Sequence, residues 1–551
     1  MTQRREHHPA MPRLVEDLKD RKIDRRQFLR YATLLGMSAT AAYGLAGKLG
    51  SGLLPTAQAQ EDLPQGGTLR IGMRVQELEN PHAYNWLFPG IIACNVLGRL
   101  AVTYQDGVSR PVLAESWEAS DDLKTWTFKL RKINWHNGRP FTADDVVWNL
   151  HHILDPATGS SSVGLMKGYL MEEVDGKTVL WDANAIEKVD DHTVRFNLKE
   201  PQVAVPEHLD HYTNAIVDPE EDGKFGVGSN GLMAFELVDH AVGERATLKA
   251  RKDEPFFLGG PYLDTLEFID LGDDPNANLA GLASGQVHGL YELDIFQMEA
   301  LQAIPGITIH EAKTANTSVV QMKVNRKPYD DPRVRTALRY ATDSKRTLEI
   351  AHRDMGLPGE HHFVCPVHPD YAPLPEMGYD PEKAKALLAE AGYPDGIDIE
   401  ISAKKDPNWE IQAVQAMVEQ WKAANIRASI NVLPSAQFWD VWDKVDLGFV
   451  EWAHRPLGFM VLSLGFRTGV PWNAPEYANP EFDRLLTEAE GTLDIEARKA
   501  IMAKVEKIMQ EDGPIPQPVW RSIVTGMNNK VKNYTMHPQR WFYGHELAIE
   551  S

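Results

Sequence analysis

Apolar and polar positions along this chain alternate in short runs and recur at helical spacing in longer ones, with no fixed internal repeat. After a polar lead-in, Thr68-Leu69-Arg70-Ile71-Gly72-Met73 alternates and predicts a first strand; residues 90–100 predict a helix. Residues 126–130 and 193–198 place large apolar side chains on one face and polar ones on the other, the pattern of half-buried strands. Between them Thr142-Ala143-Asp144-Asp145 predicts a helix start. Thr142 can cap the first turn while Asp145 reaches back, and Val146, Val147 and Leu150 supply the apolar side. Further on, one-sided stripes over 332–341, 380–391, 409–424 and 496–510 predict helices, and 397–401 and 428–432 predict strands. That alternation is expected of an α/β lobe with helices covering a sheet.

The first sixty residues follow another pattern. Arg25 and Arg26 form a twin-arginine pair followed by Phe28-Leu29, and 32–54 is rich in Ala, Leu and Gly. The stretch ends in Ala57-Gln58-Ala59, where small side chains two apart suit a signal peptidase. We expect a twin-arginine signal peptide over 1–59, cleaved after Ala59. Gly36, Gly44, Gly47, Lys48 and Gly50 interrupt the apolar run too often for a membrane span. No cysteine follows it, so the expected product is soluble, unanchored and periplasmic, exported already folded.

The 551 residues carry a formal charge of -21, and setting 1–59 aside leaves 47 basic and 73 acidic residues. Without a basic face, nucleic acid is excluded as a partner. Cys94 and Cys365 lie far apart, and their spacing leaves open both a disulfide and the expected pair of separate packed thiols. No nucleophile elbow, His-Glu-x-x-His helix or phosphate loop is present, and helix capping explains Asp144-Asp145, so neither an enzyme nor a cofactor is expected. Gly226-Val227-Gly228-Ser229-Asn230-Gly231 fits a dinucleotide pattern by letter only, because no strand precedes it and a strand follows it.

Three blocks carry a resemblance. Pro111-Val112-Leu113-Ala114-Glu115-Ser116-Trp117-Glu118 runs on to His136-Asn137-Gly138-Arg139-Pro140-Phe141-Thr142-Ala143-Asp144-Asp145-Val146. Val324-Asn325-Arg326-Lys327-Pro328-Tyr329-Asp330-Asp331-Pro332-Arg333-Val334-Arg335 and Tyr379-Asp380-Pro381-Glu382-Lys383-Ala384 follow. Together they resemble extracellular solute-binding protein family 5, the dipeptide, oligopeptide, opine and nickel receptors of ABC importers. The resemblance implies an α/β, two-lobed periplasmic binding protein, type II-like (cluster C), with an extra subdomain in lobe one. The expected boundaries are lobe one at 60–105, 229–313 and 520–551, the subdomain at 106–228 and lobe two at 314–519. A monomer is expected to close on a small-molecule solute and pass it to permease subunits with cytoplasmic ATPases.

The cargo is read from departures. Peptide-binding relatives carry Gly-Trp-x-x-Asp where this chain has Glu451-Trp452-Ala453-His454-Arg455, so Arg455 replaces the acid that holds a peptide amine. A guanidinium favours carboxylate or phosphate, which points to a partly anionic solute such as an opine, a modified amino acid or a short peptide. An internal ion pair of Arg455 with Glu451 and a standard peptide receptor with Glu451 as amine partner are the alternatives. Trp452 is read as pocket floor or core, His454 as its neighbour in the site, and Trp472, Asn473, Tyr84, Asn85 and Trp86 as loop residues of the cleft. Asn230 and Gly231 mark the glycine turn that lies beside the ligand in relatives. His361, His362, Cys365 and His368 leave a nickel-chelate receptor as a further alternative, but histidines in so Pro-rich a loop are expected to be solvated, and no metal is assigned.

Overall fold

A computed structural model describes residues 8–49 and 63–550. The expected cleavage motif with Ala57 and Ala59 lies outside them.

The first strand, Thr68–Gly72, forms where the alternation places it. It runs parallel between Thr265–Ile269 and Gly289–Leu290, and Arg245–Ala250 and Phe235–Ala241 extend this sheet antiparallel. The strand Ile307–Met322 joins this lobe to the next. Its first part pairs antiparallel with Val519–Asn528, the register shifts between Lys313 and Asn316, and from Thr317 it pairs with Leu447–Trp452. Leu447–Trp452 in turn lies beside Ile397–Lys404, which pairs in parallel with Ile426–Leu433. One sheet path therefore crosses from lobe to lobe, and the two-lobed α/β architecture is the one expected.

Lobe two closes over its own core. Val320, Met322, Leu338, Trp421 and Phe449 are fully buried beneath the helices Pro332–Tyr340, Pro381–Glu390 and Asn408–Lys422. Asp331 and Asp380 cap the first two, accepting from the backbone N–H of Arg333 and Lys383 at 2.9 Å each.

The subdomain of lobe one is a four-stranded antiparallel sheet of Ala114–Ala119, Thr125–Leu130, Thr193–Asn197 and Ile186–Asp190. Phe128 sits between Trp117 and Phe196, at 5.9 and 5.3 Å between ring centroids. The helix Ala143–Leu154 starts as its sequence indicates, with Asp145 Oδ2 accepting from the Thr142 N–H at 2.8 Å.

The helix expected at 90–100 is Leu87–Ala93 instead. Asn95 ends it by donating to the carbonyls of Ile91 at 2.8 Å and Phe542 at 3.0 Å, which draws the chain out of helical geometry.

The N-terminal segment folds back on the body through Met11–Lys19, Arg25–Leu34 and Ala39–Leu49. Arg25 opens the second of these behind its Asp24 cap, Arg26 Nε donates to the Asp106 carbonyl at 3.3 Å, and Phe28 and Tyr31 are fully buried. Trp117 Nε1 donates to the Leu34 carbonyl at 2.9 Å.

Candidate functional site

Six aromatic side chains converge where the lobes face each other. Trp452 ends the strand Leu447–Trp452, Trp439 ends the short helix Ser435–Trp439, and Trp442 lies in the turn beyond it. Trp472 comes from the loop after the helix Gly458–Gly465, Trp86 caps the helix Leu87–Ala93, and Tyr212 opens the turn Tyr212–Asn214. With Asn85, Glu451 and Arg455 they line a space of about 380 Å³, mouth included. Ring centroids lie 5.3 Å apart for Trp86 and Trp439 and 5.8 Å for Trp452 and Trp472. Walls of this kind bury a flat or apolar solute body.

Arg455 is the charged group of this wall. The chain leaves the strand at Trp452 and turns, and Arg455 as a whole is only 5% exposed. One Nη donates to the carbonyls of Ala453 and His454 at 3.3 and 3.1 Å, the other lies 3.2 Å from His211 Nε2, and Nε has no partner. Burial, with Arg455 and Arg99 nearby, holds the His211 imidazole neutral, so its nitrogen can accept. Among the described residues Arg455 forms no ion pair with a carboxylate. Burial accordingly draws its pKa down, partly offset by Tyr212 and by the Asp210 carboxylate acting from beyond ion-pair distance. A buried cation without its anion is costly, and an anionic solute group in the cavity offsets that cost.

Glu451 differs. Lys404 lies 3.2 Å from it, Arg521 2.9 Å and Arg540 3.5 Å. Burial alone would raise its pKa, but these three cations hold it down at about 2. The network extends to Glu410, 3.1 Å from Lys404, and to Glu292, which binds Arg521 at 2.6 Å and also Arg540. The carboxylate considered for a peptide amine, or for Arg455, is thus matched by other groups.

A profile of "Bacterial extracellular solute-binding proteins, family 5 Middle" matches residues 109–473, more than half of the chain. The chain belongs to this family. It is 26% identical over 467 residues to heme-binding protein A of Haemophilus influenzae, covering 79% of this chain and 83% of that one. It is also 26% identical over 460 residues to the glutathione-binding protein GsiB of Escherichia coli K12, covering 78% and 84%. Among solved structures, AgaA of A. tumefaciens R10 in complex with agropinic acid has a TM-score of 0.78 at 22% identity, covering 88% of this chain and 99% of that one, a likeness of fold. Members of family 5 are substrate-binding receptors of ABC importers and not enzymes, and this chain is such a receptor. Among its described residues no helix is long and apolar enough to cross a membrane.

Of the residues singled out in this family 5 receptor, Trp452, Glu451, Arg455, Trp472, Asn85 and Trp86 come together at the cavity. The others lie outside its lining. Tyr84 turns away, its hydroxyl donating to the Leu78 carbonyl at 2.7 Å. Asn473 ties its own loop, donating to the Tyr477 carbonyl at 2.7 Å and accepting from the Tyr477 N–H at 3.0 Å. His454 Nδ1 accepts from the Ala315 N–H at 2.9 Å, where the crossing strand changes partners. Asn230 bonds Asp218 at 2.5 Å and the Asn137 N–H at 3.0 Å, and a Cβ on Gly231 would meet the Val96 carbonyl at 2.5 Å, so this turn packs against its own lobe. The expectation of solvated histidines is corrected. His361, His362 and His368 are buried, as is Cys365, and His361 and His368 accept backbone N–H groups of Gln517 and Cys365 at 2.9 and 3.0 Å. Cys94 and Cys365 are both buried and unpaired.

Sequence reasoning missed Trp439, Trp442 and Tyr212, and with them the network around Glu451. The three-residue spacing of Trp439 and Trp442 was the one available signal.

Proposed function

We propose that the chain is exported to the periplasm, closes on a small, partly anionic organic solute and delivers it to permease subunits driven by cytoplasmic ATPases. The observation that carries the solute class is Arg455, buried at the cavity and, among the described residues, in no ion pair with a carboxylate. The solute is an opine, a modified amino acid or a short peptide held by its carboxylate, with its body against the tryptophans. The agropinic acid of AgaA and the glutathione of GsiB's name are carboxylate-bearing solutes. Capture is non-covalent, and closure follows from tighter binding to the closed state.

Export uses the twin-arginine leader with removal after Ala59, and the receptor acts as a monomer. Lobe one takes 60–105, 229–313 and 520–551, the subdomain 106–228 and lobe two 314–519; the change of strand partner between Lys313 and Asn316 supports the first crossing, at 313/314. Thermal-shift measurement against opines, carboxylates, peptides and nickel chelates tests the solute class. Carboxylate-bearing solutes should raise the melting temperature, and Arg455→Glu should remove that rise. A rise with nickel chelates alone, or one that survives the charge reversal, rejects the reading.

A further inference from the structure

We propose that the chamber behind Arg455 is an acidic subsite for the cationic group of a zwitterionic solute, and that Arg30 of the leader neutralises its Glu207 in the unprocessed chain. The idea rests on the reading of Arg455 as a carboxylate anchor.

A second space, of about 300 Å³ with its mouth, shares Leu87, Tyr212, Ala453 and Arg455 with the first and is lined beyond them by Glu207, Asp210 and His211. Arg455 therefore stands in a wall common to both. Asp210 is matched by Arg99 at 3.0 Å. Among the described residues, the ion-pair partner of Glu207 is Arg30 of the leader, with Arg498 acting on it from farther away. Glu207 is 1% exposed, its Oε1 accepts from Arg30 Nε at 2.9 Å, and its Oε2 has no hydrogen-bond partner.

Arg30 reaches it from the helix Arg25–Leu34 and is itself 7% exposed. Its Nη2 donates to the carbonyl of Pro456, the residue after Arg455, at 2.7 Å. One carboxylate and one carbonyl thus hold a guanidinium supplied by a segment that export is expected to remove. Without the leader, Glu207 loses its ion-pair partner, and burial, which already raises its carboxyl, favours the neutral acid until a cation arrives. Arg455, which Asp210 serves only from beyond ion-pair distance, still lacks a directly paired anion among the described residues. Glu207 and Arg455 form no ion pair with each other. A solute with an ammonium or guanidinium at one end and a carboxylate at the other satisfies both, and its body lies along the aromatic wall.

Calorimetric titration with 4-(aminomethyl)benzoate, which carries both charges on one ring, against benzoate, which keeps only the carboxylate, tests this. Three forms are compared: the processed chain recovered from the periplasm, the full chain, and the full chain with Arg30→Ala. The processed chain should prefer the zwitterion on the order of tenfold or more, the worth of one charge-assisted contact. The full chain should bind it more weakly by a similar factor, and Arg30→Ala should restore most of the loss. Glu207→Gln in the processed form should lower the zwitterion to the affinity of benzoate without moving benzoate. Equal affinities of the two probes for the processed chain overturn the subsite and leave the carboxylate anchor standing; that comparison needs no variant to fold. Equal zwitterion affinity for processed and full chains overturns the role of Arg30. Failure of both probes to bind the processed chain overturns the carboxylate anchor, and the subsite with it.

Discussion

Arg521 and Glu451 meet at 2.9 Å from two strands that flank the same crossing strand, Arg521 opposite Asn316 and Glu451 opposite Ser318. The other Nη of Arg521 holds Glu292 of lobe one at 2.6 Å, so one guanidinium ties acids of both lobes together where the chain crosses. Arg521→Met keeps the stem and leaves both carboxylates short of a cation. We expect it to destabilise the protein by about 3–5 kcal/mol in urea unfolding, the cost of breaking a buried pair by removing one partner. Arg427→Ala, which breaks the exposed pair with Asp398, should leave the midpoint unchanged.

Glu410 should make stability depend on pH. Burial pushes its carboxyl up to about 8; Lys404 opposes this, but that ammonium also serves Glu451, whose charge raises Glu410 further. A carboxyl with a higher pKa folded than unfolded binds its proton more tightly when folded. Its contribution is fully present below the ordinary carboxylate pKa and is lost as pH rises toward about 8. Glu410→Gln removes the titration with little change of shape. Across that window the wild-type urea midpoint should fall more steeply than the variant's, and parallel profiles would reject the assignment.

What the sequence made legible was local. The Thr142–Asp145 cap, the alternation around Phe128 and the stripes of lobe two each follow from a few consecutive residues, and all formed. Arg455 and Trp452 were found because a motif fixes their offset within one strand and turn. The cavity was not legible, because Trp439, Trp86 and Tyr212 come from three distant segments and meet only through the fold. Asn473 and Tyr84 sit in loops of the right kind, yet their polar atoms satisfy nearby backbone groups, a choice that composition does not reveal. The helix at 90–100 failed for a related reason: Asn95 finds a partner in Phe542, near the far end of the chain.

Gly465→Ala tests whether Trp452 shapes the cavity. A Cβ at Gly465 would lie 2.7 Å from Cη2 of the Trp452 ring, so the ring must shift. Ala also favours the helix slightly over Gly. The variant should therefore fold with near wild-type stability while its solute affinity falls several-fold, measured by titration with whichever solute the thermal screen identifies. Unchanged affinity would place Trp452 in the packing alone.

Arg455→Met separates a binding residue from a structural one by the sign of two measurements. If the guanidinium serves the fold, removing it lowers stability. If it awaits an anion, the solute-free protein carries a buried charge without a counter-ion, and an apolar side chain of similar length relieves that cost. We expect the solute-free variant to gain about 1 kcal/mol or more in urea unfolding. Its affinity for a carboxylate solute should fall on the order of a hundredfold, about 3 kcal/mol, because the solute's charge would then be buried without a partner. The hydrogen bonds from Arg455 to the Ala453 and His454 carbonyls act against the gain, since both carbonyls lose a donor. Both carbonyls belong to the turn that leaves the strand at Trp452, so this loss falls on the site and not on the core of either lobe. A drop in stability with affinity unchanged would assign Arg455 to the scaffold, and the anionic solute would lose its anchor.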